Sequence, residues 1–381
     1  MNIEVVIGAN YGDEGKGLFT EYLSTKHDNS IVVLVNGGCQ RGHTVNDPKY
    51  GKHVFHHFGA GTFRNRPTYF MHTFLLNPMQ FMKEYNELVE LGVTPVCYRH
   101  PDCNFQIPVD IFLNRHHETE LGELRNGSVG SGIWESCRRI NIGKEYNFTF
   151  NKFLKLPYKQ KVDFLKNVSY RYVKTQITNS ATAELELLDM FMSDGFVNHF
   201  ISDMLSMEKL CKQMDETELN QSFDTAIIEQ GQGLGLDPAY TYDIAHTTPS
   251  NPGVLSISGL INHGYIKPDI VNINYISRSY LTRHGAGELE NEIVNHTIGT
   301  DLTNIENEWQ GKLRYGLIDA RQLKARIDQD FDMIYHNPHI RQCSMKVVFT
   351  HLNEFSLNSE LMSLASYVSS SDKADEIITK I

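Results

Sequence analysis

The chain has 381 residues, with 35 Lys and Arg against 46 Asp and Glu, which gives a formal net charge of −11 at pH 7. Hydrophobic residues make up 40% of the chain and include 20 Phe and 18 Tyr, so the composition excludes a disordered protein. The acidic balance argues against a nucleic-acid partner, because such binding depends on clustered basic residues.

The sequence shows no pattern of export or membrane insertion. The N-terminal residues lack the basic and apolar regions of a secretory signal, and no apolar run approaches the roughly 18 residues that a membrane span needs. Six cysteines are scattered without CxxC spacing, which is typical of free thiols in a reducing compartment. We therefore expect a cytoplasmic protein that contacts no membrane.

Short apolar runs rich in β-branched residues predict strands. They occur at residues 3–7, 31–35, 225–228, 271–276 and 347–352, and the first four lead into glycine-containing loops. Continuous apolar runs of this length indicate strands that are buried on both faces, and such strands usually belong to a parallel sheet. In such a sheet the active loops gather at the carboxyl ends of the strands.

Helical patterns lie between these strands. Residues 78–91 have apolar side chains at helical spacing and stop before Gly92, and residues 18–25, 181–192 and 200–214 are also predicted to be helical. The alternation predicts an α/β protein with a central, mainly parallel β-sheet flanked by helices. We expect a single domain over residues 1–381, with a helical insertion near residues 150–222.

A glycine-rich loop from Gly8 to Gly17 follows the first predicted strand and precedes a predicted helix. Glycines allow successive backbone N–H groups to converge on phosphate oxygens, and Lys16 has the reach to contact a β- or γ-phosphate. The loop differs from a standard P-loop, because Gly17 stands where a Mg²⁺-binding Ser or Thr is expected. Asp13 and Glu14 also add two carboxylates, which indicates that one of them binds a metal ion or moves a proton.

A second loop, residues 36–44 with the sequence NGGCQRGHT, follows the second predicted strand. Its His43 lies between Gly42 and Thr44, so the imidazole can approach a ligand closely. Histidine suits the role of general acid because its unperturbed pKa lies near neutrality. The two loops together predict a site for phosphate chemistry.

The motifs GDEGKG at residues 12–17 and GGxxxGHT at residues 37–44 together resemble adenylosuccinate synthetase. Weaker matches continue in chain order over essentially the whole chain. They are NPMQFMKE at 77–84, GSVGSG at 127–132, EQGQG at 229–233, SN at 250–251, LTRHGAG at 281–287, THLN at 350–353, and Ser369. The resemblance implies the P-loop-like fold of that family and a homodimer in which an Arg crosses the interface.

The family joins L-aspartate to C6 of a 6-oxopurine nucleotide. A nucleoside triphosphate phosphorylates O6, and the aspartate amine then displaces that phosphate. The resemblance implies that Asp13 removes the purine N1 proton and, with the Gly42 carbonyl, ligates Mg²⁺. It also implies that His43 acts on the transferring phosphoryl group and that Lys16 supports the phosphates. These residue types suit a reaction that needs a base and fixed positive charge near the phosphoryl group.

The resemblance further assigns the residues that bind each substrate. The triphosphate is expected at Gly12, Glu14, Gly15, Lys16, Gly17, Gly42, His43, Thr44, Asn353 and Ser369. The purine nucleotide is expected at Asp13, Gln40, Ser128, Val129, Gln232, Thr247, Thr248 and Arg138. Arg138 and its neighbour Arg139 are the two candidates for the Arg that crosses the dimer interface.

The departure from the family at residues 351–353 concerns the phosphate donor. Asn353 stands where the family has the Asp that reads guanine, and His351 replaces a Lys. A carboxylate accepts the N1–H and N2–H of guanine, whereas an amide offers one donor and one acceptor, which fits adenine. A mismatched buried polar group costs roughly 1–3 kcal/mol. The change predicts ATP, or dATP, as the donor; the alternative is an Asn that contacts water while GTP still binds.

Further departures lie where the family contacts the ribose and aspartate. Residues 307–316 replace the family's basic TTGRRRRTG segment, and Lys312 and Arg314 within them are expected to hold the aspartate carboxylates. His284 replaces a Val near the ribose, and the family's ribose-binding Arg has no clear match. Both changes favour an acceptor without a 2′-hydroxyl.

The acceptor phosphate site is also altered. Gln40 replaces the family's phosphate-binding Asn, Arg41 is new, and Ser131 replaces the Arg of the GTTGRG loop. Despite the acidic composition, the basic residues of the motifs are predicted to gather at strand ends around phosphates and carboxylates. These residues are Lys16, Arg41, Arg283, Lys312 and Arg314.

Together these changes resemble a bacteriophage branch of the family, whose members would act in the host cytoplasm. That branch converts dGMP into N6-succino-2-amino-2′-deoxyadenylate, the precursor of 2-aminoadenine in phage DNA. Because dGMP has the same O6 and N1–H as IMP, the same mechanism applies to both nucleotides. Its 2-amino group needs a small or polar neighbour, for which Ser128, Gln232 and Gly233 are candidates.

Two other functions stay open. Many members of the phage branch replace the loop Asp by Ser, whereas Asp13 is kept here, so a conventional ligase that uses IMP and GTP is the first alternative. The second is a non-catalytic nucleotide-binding regulatory protein. A Rossmann dehydrogenase is disfavoured, because residues 231–235 read GxGxG without the final spaced glycine and no suitably placed acidic residue follows.

Overall fold

The computed structural model describes residues 1–122, 125–143, 145–177, 188–241, 243–294, 298 and 311–380. Its strands, in chain order, are β1 (Asn2–Gly8), β2 (Ser30–Leu34), β3 (His43–Asp47), β4 (Gly51–Phe55), β5 (Thr68–Phe70), β6 (Cys97–Arg99), β7 (Cys211–Gln213), β8 (Thr225–Gly233), β9 (Ile270–Arg278), β10 (Leu281–Arg283), β11 (Arg314–Gly316), β12 (Gln342–Thr350), β13 (Tyr367–Val368) and β14 (Ile378–Thr379). Its α-helices are α1 (Lys16–Lys26), α2 (Pro78–Glu90), α3 (Pro108–Leu121), α4 (Ile133–Ile142), α5 (Phe150–Leu154), α6 (Tyr158–Gln176), α7 (Asp194–Leu210), α8 (Glu216–Ser222), α9 (Val254–Asn262), α10 (Ala320–Tyr335) and α11 (Ser359–Leu364).

Ten of these strands form one sheet in the order β14-β13-β12-β9-β1-β8-β2-β5-β6-β7. Neighbouring strands run parallel except at one edge, where β14 is antiparallel to β13. The three central strands β9, β1 and β8 are buried along almost their whole length. Such burial requires apolar side chains on both faces, which explains the continuous apolar runs of the sequence.

Alternate residues of the central strands pack into two cores on opposite faces of the sheet. Val6 and Val32 belong to one core with side chains of α1, α2, α3, α6 and α7. Val5 and Val33 belong to the other core with side chains of α9 and α10. The predicted α/β architecture with helices on both faces is therefore confirmed. Within the described residues, no helix is long and apolar enough to cross a membrane.

The predicted strands are confirmed, but the structure changes the bounds of several elements. The strand predicted at 347–352 is β12, which starts earlier and ends at Thr350, and the helix predicted at 78–91 is α2. The helix predicted at 200–214 is wrong at its end, because α7 stops at Leu210 and residues 211–213 form β7. These three residues pair in register with Cys97–Arg99 of β6, a long-range contact that local periodicity does not reveal.

The middle of the chain is largely helical, as predicted. Helices α5, α6, α7 and α8 account for much of residues 150–222, although the same segment supplies the edge strand β7. Residues 188–192 are helical, and the remainder of the helix predicted at 181–192 lies outside the described residues. That this segment is an insertion in a single domain stays a prediction.

One buried carboxylate on α1 is only partly compensated. Glu21 is fully buried, and its Oε1 lies 2.7 Å from a guanidinium nitrogen of Arg64, which also lies 3.4 Å from Oδ2 of Asp47. Burial raises the pKa of Glu21 from 4.5 to about 7, although Arg64 opposes the change and the neighbouring Asp47 adds to it. The folded protein therefore binds a proton at Glu21 more tightly than the unfolded chain does.

We expect Glu21→Gln to stabilise the protein at pH 8 and to change its stability little at pH 5. The stabilisation that comes from the raised pKa of Glu21 is fully present below about pH 4.5 and is lost as the pH rises through about 7. Above that range the buried, ionised carboxylate lowers the free energy of unfolding of the wild-type protein by roughly 3 kcal/mol at most. Thermal unfolding at both pH values measures the difference in stability between Glu21→Gln and the wild-type protein. Asp28→Asn, at an exposed carboxylate, is the control, and an equal effect of Glu21→Gln at both pH values would contradict the expectation.

Candidate active site

The predicted functional loops meet at one edge of the sheet. The glycine-rich loop follows β1, the second loop follows β2, and residues 231–235 comprise the end of β8 and the turn after it. Strands β9 and β12 end beside them, at residues 278 and 350. Because these strands are adjacent and parallel, their carboxyl ends share one edge, as expected for a ligand site in an open α/β sheet.

Three successive carbonyl groups of the glycine-rich loop are turned outward and held by side chains from neighbouring strands. Each of these bonds joins the loop to the region around β9, β10 or β12. With these carbonyls turned away, the loop resembles the backbone nests that bind anions. The pairs are Gly12 O with Thr282 Oγ1 (3.1 Å), Asp13 O with Arg278 Nε, and Glu14 O with Thr350 Oγ1 (2.7 Å).

The carboxylate of Glu14 lies inside the loop. Its Oε1 accepts hydrogen bonds from the backbone N–H of Asn10 (3.2 Å) and of Gly12 (2.8 Å), and its Oε2 lies 2.6 Å from Nζ of Lys16. Both side chains are almost completely buried. Lys16, predicted to contact phosphate, is therefore paired with Glu14 in this structure and would have to share or exchange that partner.

The close approach of the second loop explains Gly17. A Cβ atom at this position would lie 2.7 Å from the carbonyl oxygen of Thr44 and 2.9 Å from the carbonyl carbon of His43. A Ser or Thr, as in a standard P-loop, would clash with that backbone. The contact brings the predicted triphosphate residues Gly17, His43 and Thr44 together.

Asp13 has a backbone conformation that few side chains adopt. Its φ is +59°, in the left-handed region, and its carboxylate is about a quarter exposed. Oδ2 lies 3.3 Å from Nε2 of His284. Burial opposes ionisation, but the hydrogen bond and charge of His284, with Arg278 and Lys16, lower the pKa of Asp13 overall. Asp13 is thus ionised at neutral pH, as both proposed roles require.

The oxygen atoms offered here fit a magnesium ion. Mg²⁺ usually takes one or two protein oxygens and completes its octahedral shell with water and phosphate. An ionised Asp13 carboxylate and the carbonyl of the exposed Gly42 are ligands of that kind.

His43 is held by a buried carboxylate behind it. Its Nδ1 contacts Oε1 of Glu229, which also lies 2.7 Å from the guanidinium of Arg41. Nη2 of Arg41 also lies 2.8 Å from Nδ1, and both groups converge on Glu229. We assign the proton to Nδ1, because the ionised Glu229 can only accept and Arg41 already has that carboxylate as its acceptor. Burial and Arg41 lower the pKa of His43 to about 4. Burial disfavours the charged form of Glu229, but Arg41 and His43 outweigh burial and lower the pKa of Glu229 to about 2.

The structure corrects the expectation that Arg41 faces a phosphate or carboxylate ligand. Only 3% of this residue is exposed, and its guanidinium contacts the Glu229 carboxylate and, at 3.3 Å, the Glu229 carbonyl oxygen. A buried guanidinium needs a fixed counter-charge, and Glu229 supplies it. Arg41 therefore belongs to the support of His43.

The second loop is tied to residues 229–233 by a side chain that the sequence reasoning did not single out. Asn36 accepts from the N–H of Gly231 (2.8 Å) and donates to its carbonyl (3.1 Å). The adjacent Gln232, predicted to contact the purine, has a φ of +67°. Gln40 folds back on its own loop, with Oε1 accepting from the N–H of Gly38 (2.8 Å).

The segment predicted to bind the acceptor phosphate, residues 127–132, packs against the loop after β10. A Cβ at Gly127 would lie 2.5 Å from Cα of Gly285, so both positions require glycine. Asn114 of α3 holds the segment by contacts with Ser128 Oγ (3.1 Å) and with the N–H of Gly132 (3.2 Å). Val129 is exposed.

Residues predicted for the triphosphate base are also brought together. The turn after β12 contains Asn353, which is exposed, and the N–H of Leu352 donates to the carbonyl of the buried Ser369 (3.1 Å). His351 has a φ of +60° at the start of this turn. Thr247 and Thr248 lie in another loop, where Thr248 Oγ1 contacts Ser250 Oγ at 2.9 Å.

The predicted aspartate-binding residues differ in their surroundings. Lys312 is exposed. Arg314 is paired with Glu292, with Nε 2.7 Å from Oε1, and its Nη1 donates to the carbonyls of Gly285 (3.1 Å) and Gly287 (2.8 Å). Arg314 thus supports the loop after β10, and a grip on aspartate would require it to share this partner.

The two candidates for an interface Arg are distinguished by burial. Arg139 is 2% exposed and donates to both carboxylate oxygens of Asp110, at 2.8 and 3.0 Å. Its neighbour Arg138 is exposed on α4. Of the two, only Arg138 therefore has the exposure that an interface Arg would need.

Several supporting residues were missed by the sequence reasoning. Their shared signal is a polar or charged residue within, or directly after, an apolar run that forms a buried strand. Such a residue must find a partner inside the protein, because an unpaired buried charge is costly. The missed residues with this signal are Asn36, Glu229 and Arg278.

A comparison with known families decides the classification. A model of the family described as adenylosuccinate synthetase matches residues 5–329. The chain belongs to the adenylosuccinate synthetase family. It is therefore a member of a family of carbon–nitrogen ligases, which goes against a non-catalytic regulatory protein.

Curated relatives carry the name adenylosuccinate synthetase, and solved structures share the fold of this chain. The enzymes of Azobacteroides pseudotrichonymphae and Chlorobium limicola are 24% and 28% identical, and the alignments cover 86% and 84% of this chain and 75% and 72% of theirs. The fully ligated Plasmodium falciparum adenylosuccinate synthetase is 16% identical with a TM-score of 0.70, over 100% of both chains. A cyanophage S-2L succinoaminodeoxyadenylate synthetase (PurZ), described as bound to dGMP and to dATP as an energy donor, is 13% identical with a TM-score of 0.64, over 99% of this chain and 95% of that one.

We expect Arg41→Met to destabilise the protein strongly, because it leaves the Glu229 carboxylate buried without its guanidinium. Removing one partner of such a pair typically costs about 3–5 kcal/mol. Arg41→Met combined with Glu229→Gln should recover part of this loss, since it removes the unpaired buried charge, while the single amide oxygen of Gln can accept from only one of His43 and Ala60. Urea unfolding measures the free energies, with Lys324→Met, in an exposed pair with Asp328, as the control. Equal losses of unfolding free energy in the single and double variants would contradict the role given to the buried Arg41–Glu229 pair.

Proposed function

We propose that this chain joins L-aspartate to C6 of dGMP at the expense of ATP or dATP, forming N6-succino-2-amino-2′-deoxyadenylate. The observation that carries the donor assignment is Asn353, which replaces the guanine-reading carboxylate of the family. Asn353 is exposed on the turn after β12, and the N–H of the preceding Leu352 donates to the carbonyl of Ser369, at the proposed position of the donor base. An amide complements the N1 and N6 edge of adenine.

In the proposed reaction, Asp13 accepts the N1 proton of dGMP as O6 attacks the γ-phosphorus of the donor, and the nucleoside diphosphate (ADP or dADP) leaves. The aspartate amine then attacks C6 and gives up a proton, and the C6–O6 bond breaks, so that inorganic phosphate leaves from C6 with the former O6 as one of its oxygens. His43, oriented through Nδ1 by Glu229, acts on the transferring phosphoryl group; because its lowered pKa of about 4 leaves it neutral in the free protein, it has to gain a proton at Nε2, which the charge of the bound phosphates favours, before it can donate to that group. Lys16 and the backbone of residues 12–17 hold the donor phosphates.

Asp13 and the Gly42 carbonyl would hold Mg²⁺. When bound, the ion neutralises negative charge on the phosphates. The remaining demands of the reaction fall on the protein. The lowered pKa of Asp13 keeps its carboxylate ionised, and the carbonyls of residues 12–14 are held by side chains of other segments, so the N–H groups of Asn10 and Gly12 can donate to phosphate once it replaces the Glu14 carboxylate.

The surroundings of Asp13 support a deoxynucleotide acceptor. His284, in place of a smaller Val, lies against the Asp13 carboxylate and is mostly buried. The following Gly285 packs directly on Gly127 of the proposed acceptor-phosphate segment. An imidazole in this corner leaves less room at the ribose, which favours the absence of a 2′-hydroxyl. The solved structure described as bound to dGMP and dATP has a related fold and supports the same choice.

A conventional IMP ligase is the second candidate. The observation in its favour is Asp13 itself, because many members of the phage branch replace this residue by Ser. The curated relatives also carry the conventional name. In either case we propose that the chain acts as a homodimer in which Arg138 reaches the partner's site.

The acceptor is decided by one assay. We expect succinylated product from dGMP, L-aspartate, ATP and Mg²⁺, at a kcat/KM at least about tenfold above that with IMP, which corresponds to about 1.4 kcal/mol. Product formation is followed by chromatography and mass spectrometry. Turnover with IMP and GTP, and none with dGMP, would establish the conventional ligase instead.

The donor assignment is tested by Asn353→Asp. We expect the ratio of kcat/KM for ATP over GTP to fall at least about tenfold, because a carboxylate accepts from guanine and mismatched polar groups cost roughly 1–3 kcal/mol. Asn358→Asp, the same substitution at the N-cap of α11, is the matched control, since Asp also caps helices. An unchanged ratio in Asn353→Asp would remove the role given to Asn353.

A further inference from the structure

A continuous chain of hydrogen bonds links the Asp13 loop to the turn that carries Asn353. Arg278, at the end of β9, donates from Nε to the carbonyl oxygen of Asp13 and from Nη1 to the hydroxyl of Tyr280 (2.8 Å). The Tyr280 hydroxyl donates in turn to Oε2 of Glu354. Two side chains therefore connect Glu354, next to Asn353, with the backbone of Asp13.

The geometry of this chain is restricted. Arg278 is 3% exposed and Tyr280 is 1% exposed. The guanidinium carbon lies 5.5 Å from the centre of the Tyr280 ring, which packs in turn against Tyr315 at 5.9 Å. Buried charge-assisted hydrogen bonds are strong, and a donor left unpaired inside a protein costs roughly 1–3 kcal/mol. A change at Glu354 therefore has to be accommodated along the whole chain.

The Asp13 end of the chain is sensitive to such a change. With a φ of +59°, Asp13 adopts a conformation that costs a non-glycine residue free energy and persists only when its surroundings fix it. The bond from Arg278 to its carbonyl is one of those constraints. A shift of Arg278 would let the Asp13 peptide rotate, and the carboxylate would move with it.

A second set of contacts fixes the same turn to the same loop. Ser279 Oγ donates to the carbonyl of His351 (3.0 Å), and Thr350 Oγ1 donates to the carbonyl of Glu14 (2.7 Å). The turn is thus attached to the glycine-rich loop at Glu14 through Thr350 and at Asp13 through Arg278. Its position and that of Asp13 cannot change independently.

We propose that Arg278, Tyr280 and Glu354 are positioning residues that couple occupation of the donor-base turn to the placement of Asp13. The proposal rests on the proposed function in two respects, namely that Asn353 contacts the donor base and that Asp13 contacts the acceptor purine. The chain then aligns Asp13 for the acceptor when the donor is bound. By linkage, each nucleotide increases the affinity for the other by the same factor.

The test compares nucleotide affinities in the wild-type protein and in Tyr280→Phe, which keeps the ring and removes only the hydroxyl. Calorimetric titrations give the affinity for dGMP with Mg²⁺, with and without a non-hydrolysable ATP analogue. In the wild-type protein we expect the analogue to tighten dGMP binding about fivefold or more. In Tyr280→Phe this factor should approach one, while the affinity for dGMP alone changes little. Glu354→Gln should lower the factor less, because an amide oxygen still accepts from Tyr280.

Tyr69→Phe is the matched control. Its buried hydroxyl donates to the carbonyl of Met214 (3.2 Å), which follows the edge strand β7, and contacts neither the Asp13 loop nor the turn after β12, so its loss should leave the factor at the wild-type value. An equal factor in wild type and Tyr280→Phe would overturn the proposal, as would a wild-type protein without coupling. If dGMP does not bind and IMP does, the acceptor assignment fails, and the same titrations with IMP still decide the coupling.

Discussion

The buried carboxylate of Glu229 is the interaction on which the second loop depends. It contacts Arg41 and His43 of that loop and accepts a hydrogen bond from the N–H of Ala60 (3.0 Å). Two segments, the second loop and the stretch that contains Ala60, are thereby joined to β8, although they are distant from it in sequence. Because β8 is paired with both β1 and β2, the same carboxylate places His43 against the helix that begins at Lys16.

Some of the acidic residues of the chain pair with basic residues of the candidate site. Several cations of the candidate site are already neutralised inside the protein: Lys16 by Glu14, Arg41 by Glu229 and Arg314 by Glu292. A nucleotide that enters such a site exchanges partners rather than meeting bare positive charge. Exchange favours ligands whose phosphates fit the backbone geometry, and it disfavours non-specific binding of polyanions.

The sequence reasoning succeeded where function depends on local patterns. GDEGKG and GHT identified the two loops, and apolar runs located the central strands, because glycine and strand burial leave marks within a few residues. It failed where the outcome depends on a distant partner. Arg41 was expected to face ligand because its neighbours do, but the buried Glu229 lies 188 residues away. The hydrogen bond from Arg278 to Asp13 spans 265 residues, and no local spacing encodes it.

Strand β7 was also missed because its partner, β6, is distant in sequence. This strand affects how copies of the chain can associate. It is three residues long, its Lys212 and Gln213 are exposed, and it forms one margin of the sheet, while a two-residue antiparallel strand forms the other. Short margins with a lysine offer few free backbone groups to another strand, which is how β-proteins avoid joining edge to edge. By supplying β7, the middle of the chain thus makes it unfavourable for a strand of another molecule to pair with this edge of the sheet. Subunits that associate would be expected to meet through helices and loops rather than by extending the sheet.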